Sequence, residues 1–259
     1  MPETSEQFEQ LDRLGYVVVP VVMSPEFRCA LKQQLQIVFE QEGENAGAEF
    51  KQEQGCGRLA NLVNKGEIFR HVIGDEFILK FVRSVLGPGI KLSSLNVRRA
   101  DPQNETRQPL HADMAAVADE HGYWVCNTVW LLDHFTTENG PIRVVPGSHR
   151  AAKLPQNELG DPLAPHEDEV FVTAKAGDVI VMNAHLWHAG TENKTDNPRT
   201  ALHAFYCRRD KPQQQYQKGL LDETVKRSLN PTLRELLALD DPQNDKISVN
   251  VEVRSGFLK

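Results

Sequence analysis

The sequence predicts a mainly β fold, a sandwich or a barrel, with α-helices flanking the strands on both sides along the chain. From Ile90 onward, short β-branched and apolar segments alternate with turn residues, which is typical of such folds. Before and after this region, apolar residues recur at helical spacing. The 259 residues contain no clear linker. We therefore expect one domain over 1–259, with helical support in about 1–90, a β core in about 91–210 and a helical tail in about 211–259.

The N-terminal region predicts a strand and two helical regions. Residues 16–22 are β-branched and extended. Ser24 then offers an N-cap and Pro25 a first helical residue, and apolar residues at helical spacing continue to about Glu42. A second apolar periodic stretch, residues 66–86, ends at Gly87-Pro88-Gly89.

The polar, glycine-rich residues 42–57 predict a mobile loop between these two regions. Such a loop is either a surface connection or a lid over a pocket, and the sequence favours neither.

Seven short segments predict the strands of the β core. They are residues 92–98, 109–114, 123–132, 141–145, 170–173, 178–184 and 200–207. Residues 216–239 return to helical spacing.

Composition excludes several classes of protein. The net charge of −7 argues against a protein that coats nucleic acid. We see no secretory signal, no peroxisomal address and no apolar run long enough to cross a membrane. Four scattered cysteines without a Cys-x-x-Cys pair indicate reduced thiols and a cytoplasmic protein. The sequence does not specify an oligomeric state.

The pattern His-x-Asp occurs twice and predicts a metal site once. Residues i and i+2 of a strand share a face, so the pattern presents an imidazole and a carboxylate together. His111-Ala112-Asp113 precedes an apolar stretch, where a strand would hold it rigidly. The second copy, His166-Glu167-Asp168, lies among proline and acidic residues and is interpreted as a solvated loop.

His188 is the expected third ligand. Alternation along residues 178–190 places Met182 and His188 on one face, with His185 on the other. Two histidines and one carboxylate on facing strands form the facial triad of non-haem Fe(II) oxygenases.

Arg199 follows eleven residues after His188, at the start of another predicted strand. It shares a face of that strand with Ala201, His203 and Phe205. A fixed guanidinium there could bind a carboxylate through two hydrogen bonds.

Taken in order, these motifs resemble the phytanoyl-CoA dioxygenase family of iron- and 2-oxoglutarate-dependent oxygenases. The matching text is Pro-Leu-His111-Ala-Asp113, residues 130–149 ending in Pro-Gly-Ser-His, Ala-Gly-Asp178-Val, Trp-His188-Ala-Gly and Arg199. The resemblance covers roughly residues 10–210. It implies a double-stranded β-helix, the jelly-roll or cupin-like fold.

The resemblance also implies the ligands of the site. Fe(II) would be bound by His111, Asp113 and His188, and the distal carboxylate of 2-oxoglutarate by Arg199, with O2 as the second cosubstrate. Trp130 matches a family position close to the cosubstrate.

One position departs from the family pattern. Many relatives have a serine two residues after the last iron ligand, whereas this chain has Gly190 followed by Thr191. Thr128, on the same strand face as Trp130 by alternation, is a second possible substitute. Asp113 favours oxygenation over halogenation, because related halogenases replace this carboxylate with a small residue.

Other polar residues receive weaker assignments. Asn96 is a candidate cosubstrate contact, and His203 either lines the pocket or packs in the core, with packing favoured. His149 and His185 are expected to be structural. Arg98 and Arg99 are interpreted as solvated surface, with contact to an anionic substrate as the alternative.

The resulting hypothesis is an oxygenase that hydroxylates an unactivated C–H bond of a small molecule and releases succinate and CO2. Two alternatives remain open. One is a non-catalytic jelly-roll module that binds a metal or small ligand, and the other is a zinc hydrolase that uses the same three ligands.

Overall fold

The computed structural model describes residues 5–249. Within them the strands are β1 to β9 in chain order: Tyr16–Val19, Cys56–Leu59, Ile90–Ala100, Val125–Leu131, Ile142–Val144, Val170–Val172, Val179–Asn183, His188–Gly190 and Arg199–Arg208. The α-helices α1 to α9 of this part of the chain are Ser5–Leu14, Pro25–Glu42, Glu67–Ile73, Glu76–Leu86, Pro155–Glu158, Gln217–Leu220, Glu223–Ser228, Pro231–Leu236 and Pro242–Ser248.

The strands form two antiparallel sheets. The larger has the order β1-β7-β4-β9-β3-β2 and the smaller the order β6-β5-β8. Their non-sequential order is that of a jelly-roll. The predicted double-stranded β-helix with flanking helices is therefore confirmed.

Helices cover one face of the large sheet. Apolar side chains of α2, α3 and α4 pack against outward-facing residues of the sheet, among them Trp130, Leu202 and Tyr206. The opposite face of the sheet lines a second apolar cluster and an open pocket. The helical layer thus supports the sheet from behind and leaves its inner face available for a site.

Local capping explains where the long helix begins. Ser24 accepts a hydrogen bond from the Phe27 amide at 3.1 Å, and Pro25 occupies the first helical position. Helix α2 ends at Glu42, as the sequence predicts.

Several predicted elements differ from the structure. Residues 66–86 form two helices, because Gly74 ends α3 and Asp75 caps the start of α4. Residues 109–114 contribute only an isolated bridge at His111 instead of a strand. The predicted C-terminal helical stretch is a series of short helices, with Asn230 and Asp241 capping α8 and α9.

The last predicted strand before His188 is also shorter than expected. β7 ends at Asn183, and a turn separates it from β8, which begins at His188. Within residues 5–249, no helix is both long and apolar enough to cross a bilayer.

Candidate metal centre

Three side chains converge at one end of the pocket. Nε2 of His111 lies 3.8 Å from Oδ1 of Asp113, and Nε2 of His188 lies 3.6 Å from Oδ2 of the same carboxylate. Within residues 5–249 this is the one His/Cys/Asp/Glu group of three or more whose ligand atoms lie together, all within 4.8 Å. The structure therefore brings together the three residues predicted as metal ligands.

The backbone explains why the two histidines are neighbours. His111 and His188 each donate an amide hydrogen bond to the other's carbonyl, at 3.0 Å in both directions. The Asp113 amide donates to the Ala184 carbonyl at 2.9 Å, which ties the third residue to the turn before β8. The site thus joins the large sheet to the small one.

Neighbouring groups orient each of the three side chains. Nδ1 of His111 lies 2.9 Å from the Pro109 carbonyl, and Nδ1 of His188 lies 2.8 Å from the Leu186 carbonyl. Carbonyl oxygens only accept, so both Nδ1 atoms carry the proton, and the Nε2 atoms are then the nitrogens whose lone pairs can bind a metal. The amide of Asn127 approaches Oδ2 of Asp113 at 3.4 Å.

The donor set fits a divalent transition metal. Burial lowers the pKa of His111 well below its ordinary value, and the adjacent His188 lowers it further, so the imidazole is neutral as a ligand must be. Two imidazole nitrogens and one carboxylate oxygen suit Fe(II) and also Zn(II).

Arg199 lies in the same pocket as the three candidate ligands. Its Nε donates to the Asn139 carbonyl at 3.4 Å, its Nη2 donates to the Gly140 carbonyl, and its guanidinium lies 4.2 Å from the Phe135 ring centroid. Burial lowers the pKa of Arg199 to about 10, which leaves it charged at neutral pH. These contacts fix a buried cation in the pocket.

Asn96 and His203 face each other across β3 and β9 and both line the pocket. Of the two alternatives for His203, the structure therefore supports the pocket-lining position and not the favoured packing in the core. Burial lowers the pKa of His203 well below its ordinary value, with Arg98 and Arg199 adding to the effect. It is a neutral polar group facing the cavity.

Thr128 and Trp130 lie on the opposite face of β4 from the pocket. Trp130 is packed in the core beneath the helices, and its Nε1 donates to Oγ1 of Thr128 at 3.1 Å. The alternate residues Asn127 and Val129 line the pocket instead. The expectation that Thr128 and Trp130 contact a cosubstrate is corrected, because strand pairing turns their side chains towards the helical layer.

Gly190 is explained by its neighbour Gln108. The Gly190 amide donates to Oε1 of Gln108 at 2.9 Å, and a Cβ at Gly190 would lie 3.1 Å from that same oxygen. Gln108 thus fills the space beside Gly190 that a larger residue would need. Thr191 also lines the pocket, where its hydroxyl donates to the Pro141 carbonyl at 2.7 Å.

The second half of the predicted loop, from Phe50 to Cys56, lines one side of the pocket. Phe50, Glu53 and Cys56 are among its lining residues. This part of the loop is therefore more than a surface connection, because it borders the pocket.

Arg98 also lines the pocket, so its interpretation as solvated surface is wrong. Arg99, the next residue, lies outside the pocket and stacks on Phe39 at 4.2 Å. Sequence reasoning missed Asn127, Glu53, Arg58 and Gln108 as pocket residues. Only Asn127 carried a signal, as a polar residue inside an apolar strand.

Two other histidines are structural, as expected. His185 is buried against the rings of Tyr123 and Trp124, and its Nδ1 bonds Asn183 at 2.9 Å. His149 bonds the Asp12 carbonyl at 3.0 Å.

A jelly-roll carrying two histidines, one carboxylate and a buried arginine in one pocket defines the class of facial-triad metalloproteins. A profile of the phytanoyl-CoA dioxygenase family matches residues 11–201. The chain belongs to that family.

Individual relatives agree with this membership. The dioxygenase af480 of Aspergillus fumigatus is 30% identical over 188 residues, 70% of this chain and 58% of that protein. The ectoine dioxygenase of Halomonas elongata is 24% identical, over 81% of this chain and 71% of the relative. The chain spans about half the length of several curated relatives, including 47% of human peroxisomal phytanoyl-CoA dioxygenase.

Solved structures share the fold. HygX from Streptomyces hygroscopicus, with nickel and 2-oxoglutarate bound, superposes with a TM-score of 0.68 at 18% identity, over 82% of this chain and 90% of HygX. EctD from S. alaskensis with bound iron gives 0.67 at 20% identity, over 79% and 76% of the two chains.

Proposed function

We propose that the protein is an Fe(II)- and 2-oxoglutarate-dependent oxygenase that hydroxylates a C–H bond of a small molecule and releases succinate and CO2. The observation that carries the proposal is the pairing of the His111–Asp113–His188 cluster with buried Arg199 in one pocket. Such a triad leaves metal positions open for a chelating cosubstrate and O2.

Each residue of the cluster has a defined part. His111, Asp113 and His188 would hold Fe(II), which supplies the oxidising chemistry together with O2 when it is bound. The hydrogen bonds to Pro109 and Leu186 fix the two imidazoles before the metal arrives. The site is therefore preorganised by the chain itself.

Arg199 would bind the distal carboxylate of 2-oxoglutarate. The Asn139 and Gly140 carbonyls orient the guanidinium, and Nη1 makes no hydrogen bond to any residue within 5–249. A charge-assisted hydrogen bond to a carboxylate suits this buried donor. Asn96 and His203, which line the same pocket, are candidate contacts along the cosubstrate or substrate.

The alternatives explain the pocket less well. A zinc hydrolase could use the same three ligands, but it has no use for a buried guanidinium in the metal pocket. A non-catalytic ligand-binding module would not need imidazoles aligned for a metal. The names of the relatives, which include dioxygenases, also favour oxygen chemistry.

We also propose a cytoplasmic location. Cys29, Cys56, Cys126 and Cys207 are all free, as is usual in a reducing compartment.

The first experiment tests the site without knowledge of the substrate. Apo-protein is prepared without oxygen, Fe(II) and then 2-oxoglutarate are added, and the visible spectrum is recorded. We expect a weak metal-to-ligand charge-transfer band that needs both additions and is lost in His188→Ala and Arg199→Ala.

Asp168→Ala is the matched control, because Asp168 belongs to the second His-x-Asp copy outside the site. The control should retain the band. A folded wild-type protein that binds Zn(II) but develops no band with Fe(II) and 2-oxoglutarate would favour the hydrolase instead.

A further inference from the structure

The pocket contains a fully formed receptor for a carboxylate. Glu53 accepts hydrogen bonds from Nε and Nη2 of Arg58 at 2.9 and 2.5 Å. Nη2 of Arg98 donates to both Glu53 oxygens at 2.9 Å, and Nε2 of Gln108 donates at 2.6 Å. Two guanidinium groups and one amide therefore surround a single carboxylate.

The donors and the acceptor belong to different parts of the fold. Arg58 and Arg98 lie opposite each other on the paired strands β2 and β3, and Gln108 is fastened to β8 through Gly190. Glu53 instead comes from the segment 43–55, which lies between α2 and β2. Two strands of the large sheet and the segment before His111 thus supply the donors, and the connection between α2 and β2 supplies the carboxylate.

The receptor is desolvated. The side chains of Glu53 and Arg58 are only 5% and 8% exposed, and that of Arg98 is 22% exposed. Burial alone would raise the pKa of Glu53, but Arg98 and Arg58 outweigh it and keep the pKa below its ordinary value. Buried arginines of this kind require an anion, and Glu53 is the one present.

The charge of the pocket favours a further anion. Three arginines but only two carboxylates line it. Asp113 is a metal ligand and Arg199 a partner for 2-oxoglutarate in the proposed function. Arg58, Arg98 and Glu53 then remain, with one positive charge in excess. The charges of a divalent metal and of doubly charged 2-oxoglutarate would cancel each other and leave this excess positive charge unchanged.

We infer that Arg98, with Arg58 and Gln108, is the binding site for a carboxylate of the prime substrate, and that Glu53 occupies this site until the substrate displaces it. The prime substrate is then a small molecule with a carboxylate group. Exchange of one carboxylate for another preserves every hydrogen bond of the receptor. The inference rests on the proposed function for the identity of the ligand but not for the existence of the receptor.

The existence of the receptor is tested by chemical rescue. Glu53→Ala removes the internal carboxylate and should lower Tm. Acetate should then restore it by about 2–4 °C in a saturable manner, whereas chloride at equal ionic strength should not. Wild-type protein and Arg98→Met/Glu53→Ala should show no such gain.

Glu49→Ala is the matched control, because Glu49 lies on the same segment but pairs with Lys65 outside the receptor. Acetate should not change its Tm. A Glu53→Ala protein that responds equally to acetate and chloride would overturn the inference. The measurement needs neither iron nor 2-oxoglutarate, so its failure is distinct from failure of the proposed function.

A second measurement identifies the carboxylate and does not depend on the folding of Glu53→Ala. Small carboxylic acids and their primary amides are compared in wild-type protein for stimulation of succinate release. We expect only acids to stimulate, and Arg98→Met to raise the KM of a stimulating acid about tenfold or more. Arg99→Met, on the other face of the strand, should leave this KM unchanged.

The Arg98→Met variant also tests whether the bound carboxylate belongs to the prime substrate or to 2-oxoglutarate. The affinity for 2-oxoglutarate, from titration of the charge-transfer band, should stay within about twofold of wild type in Arg98→Met, well below a tenfold change. A tenfold loss would assign the receptor to 2-oxoglutarate and overturn the assignment to the substrate. Stimulation by the neutral amides, or by no acid at all, would also overturn it.

Discussion

His185 and His188 lie three residues apart and have opposite environments. His188 lines the pocket, with its Nδ1 bonded to a carbonyl and its Nε2 beside Asp113. His185 lies among the aromatic rings of Tyr123 and Trp124, and its Nε2 has no hydrogen-bond partner within residues 5–249. The turn after β7 separates the two imidazoles, one for chemistry and one for packing.

The environment of His185 predicts a loss of stability in acid. Burial lowers the pKa of His185 to about 3, so the folded protein keeps it neutral where the unfolded chain, with a pKa of about 6.5, takes up a proton. The free energy of unfolding should therefore fall as the pH falls from about 6.5 towards 3. Between pH 7 and pH 5 the contribution of His185 is about 2 kcal/mol.

Urea unfolding of wild type and His185→Gln at these two pH values measures that contribution. The variant should show the smaller pH dependence, while His121→Gln, at an exposed position, should behave as wild type. An equal pH dependence in wild type and His185→Gln would contradict the prediction.

At the scale of the element, β5 is a strand of three residues with a buried arginine at its centre. The Arg143 side chain is fully buried and donates to the carbonyls of Gln108, Pro162 and Ala164 at 3.1, 2.9 and 3.0 Å. It also pairs with Glu169 at 2.8 Å. These contacts connect the small sheet to the segment that precedes His111.

We predict that Arg143→Met lowers the free energy of unfolding by about 3–5 kcal/mol, because it removes the fully buried charged partner of Glu169 and the donor to several carbonyls. Within residues 5–249, Glu169 would keep only the His166 amide and the partly exposed Arg107 as donors. Affinity for the metal should fall as well, since β5 pairs with β8, which carries His188. Denaturant unfolding and metal titration measure both effects.

Arg150→Met is the control, because Arg150 pairs with Asp12 at the surface. It should change stability far less. A loss of stability in Arg143→Met no larger than in this control would show that β5 does not depend on the buried pair.

Elements with local signals are the ones that the sequence predicts well. Helix α2 is fixed by Ser24 and Pro25, which act within one turn of themselves. The metal cluster could also be predicted from the sequence, because His111 and Asp113 share a short motif. The sequence could not predict which face of β4 lines the pocket. All seven residues of β4 are buried, so alternation alone cannot distinguish its two faces.

Pairs distant in sequence explain the remaining errors. The sequence predicts Arg98 to lie at the surface, because its partner Glu53 is 45 residues away. From the sequence, Gly190 is a position where many relatives have a serine. The structure explains the glycine by its contact with Gln108, which lies 82 residues earlier in the chain. Such contacts form only when the sheets and the segments that line the pocket pack together, and they have no local signature.

At the scale of the whole molecule, the site connects both sheets, so ligand binding should stabilise the entire fold. His188 belongs to the small sheet, and Arg199 and His203 belong to β9 of the large one. A ligand that binds only the folded state adds stability in proportion to the logarithm of its concentration. At a hundred times its Kd the gain is about 2.7 kcal/mol.

We predict that Ni(II), chosen because it tests binding without turnover, raises Tm and that 2-oxoglutarate raises it further only when the metal is present. Asp113→Ala should lose both gains. Arg199→Met should keep the gain from nickel and lose the additional gain from 2-oxoglutarate, because the guanidinium contacts the cosubstrate and not the metal. Asp168→Ala should retain both gains. If 2-oxoglutarate stabilised the metal-free protein as strongly as the nickel form, the cosubstrate would not bind through the metal, and the roles assigned to the two ends of the pocket would be incorrect.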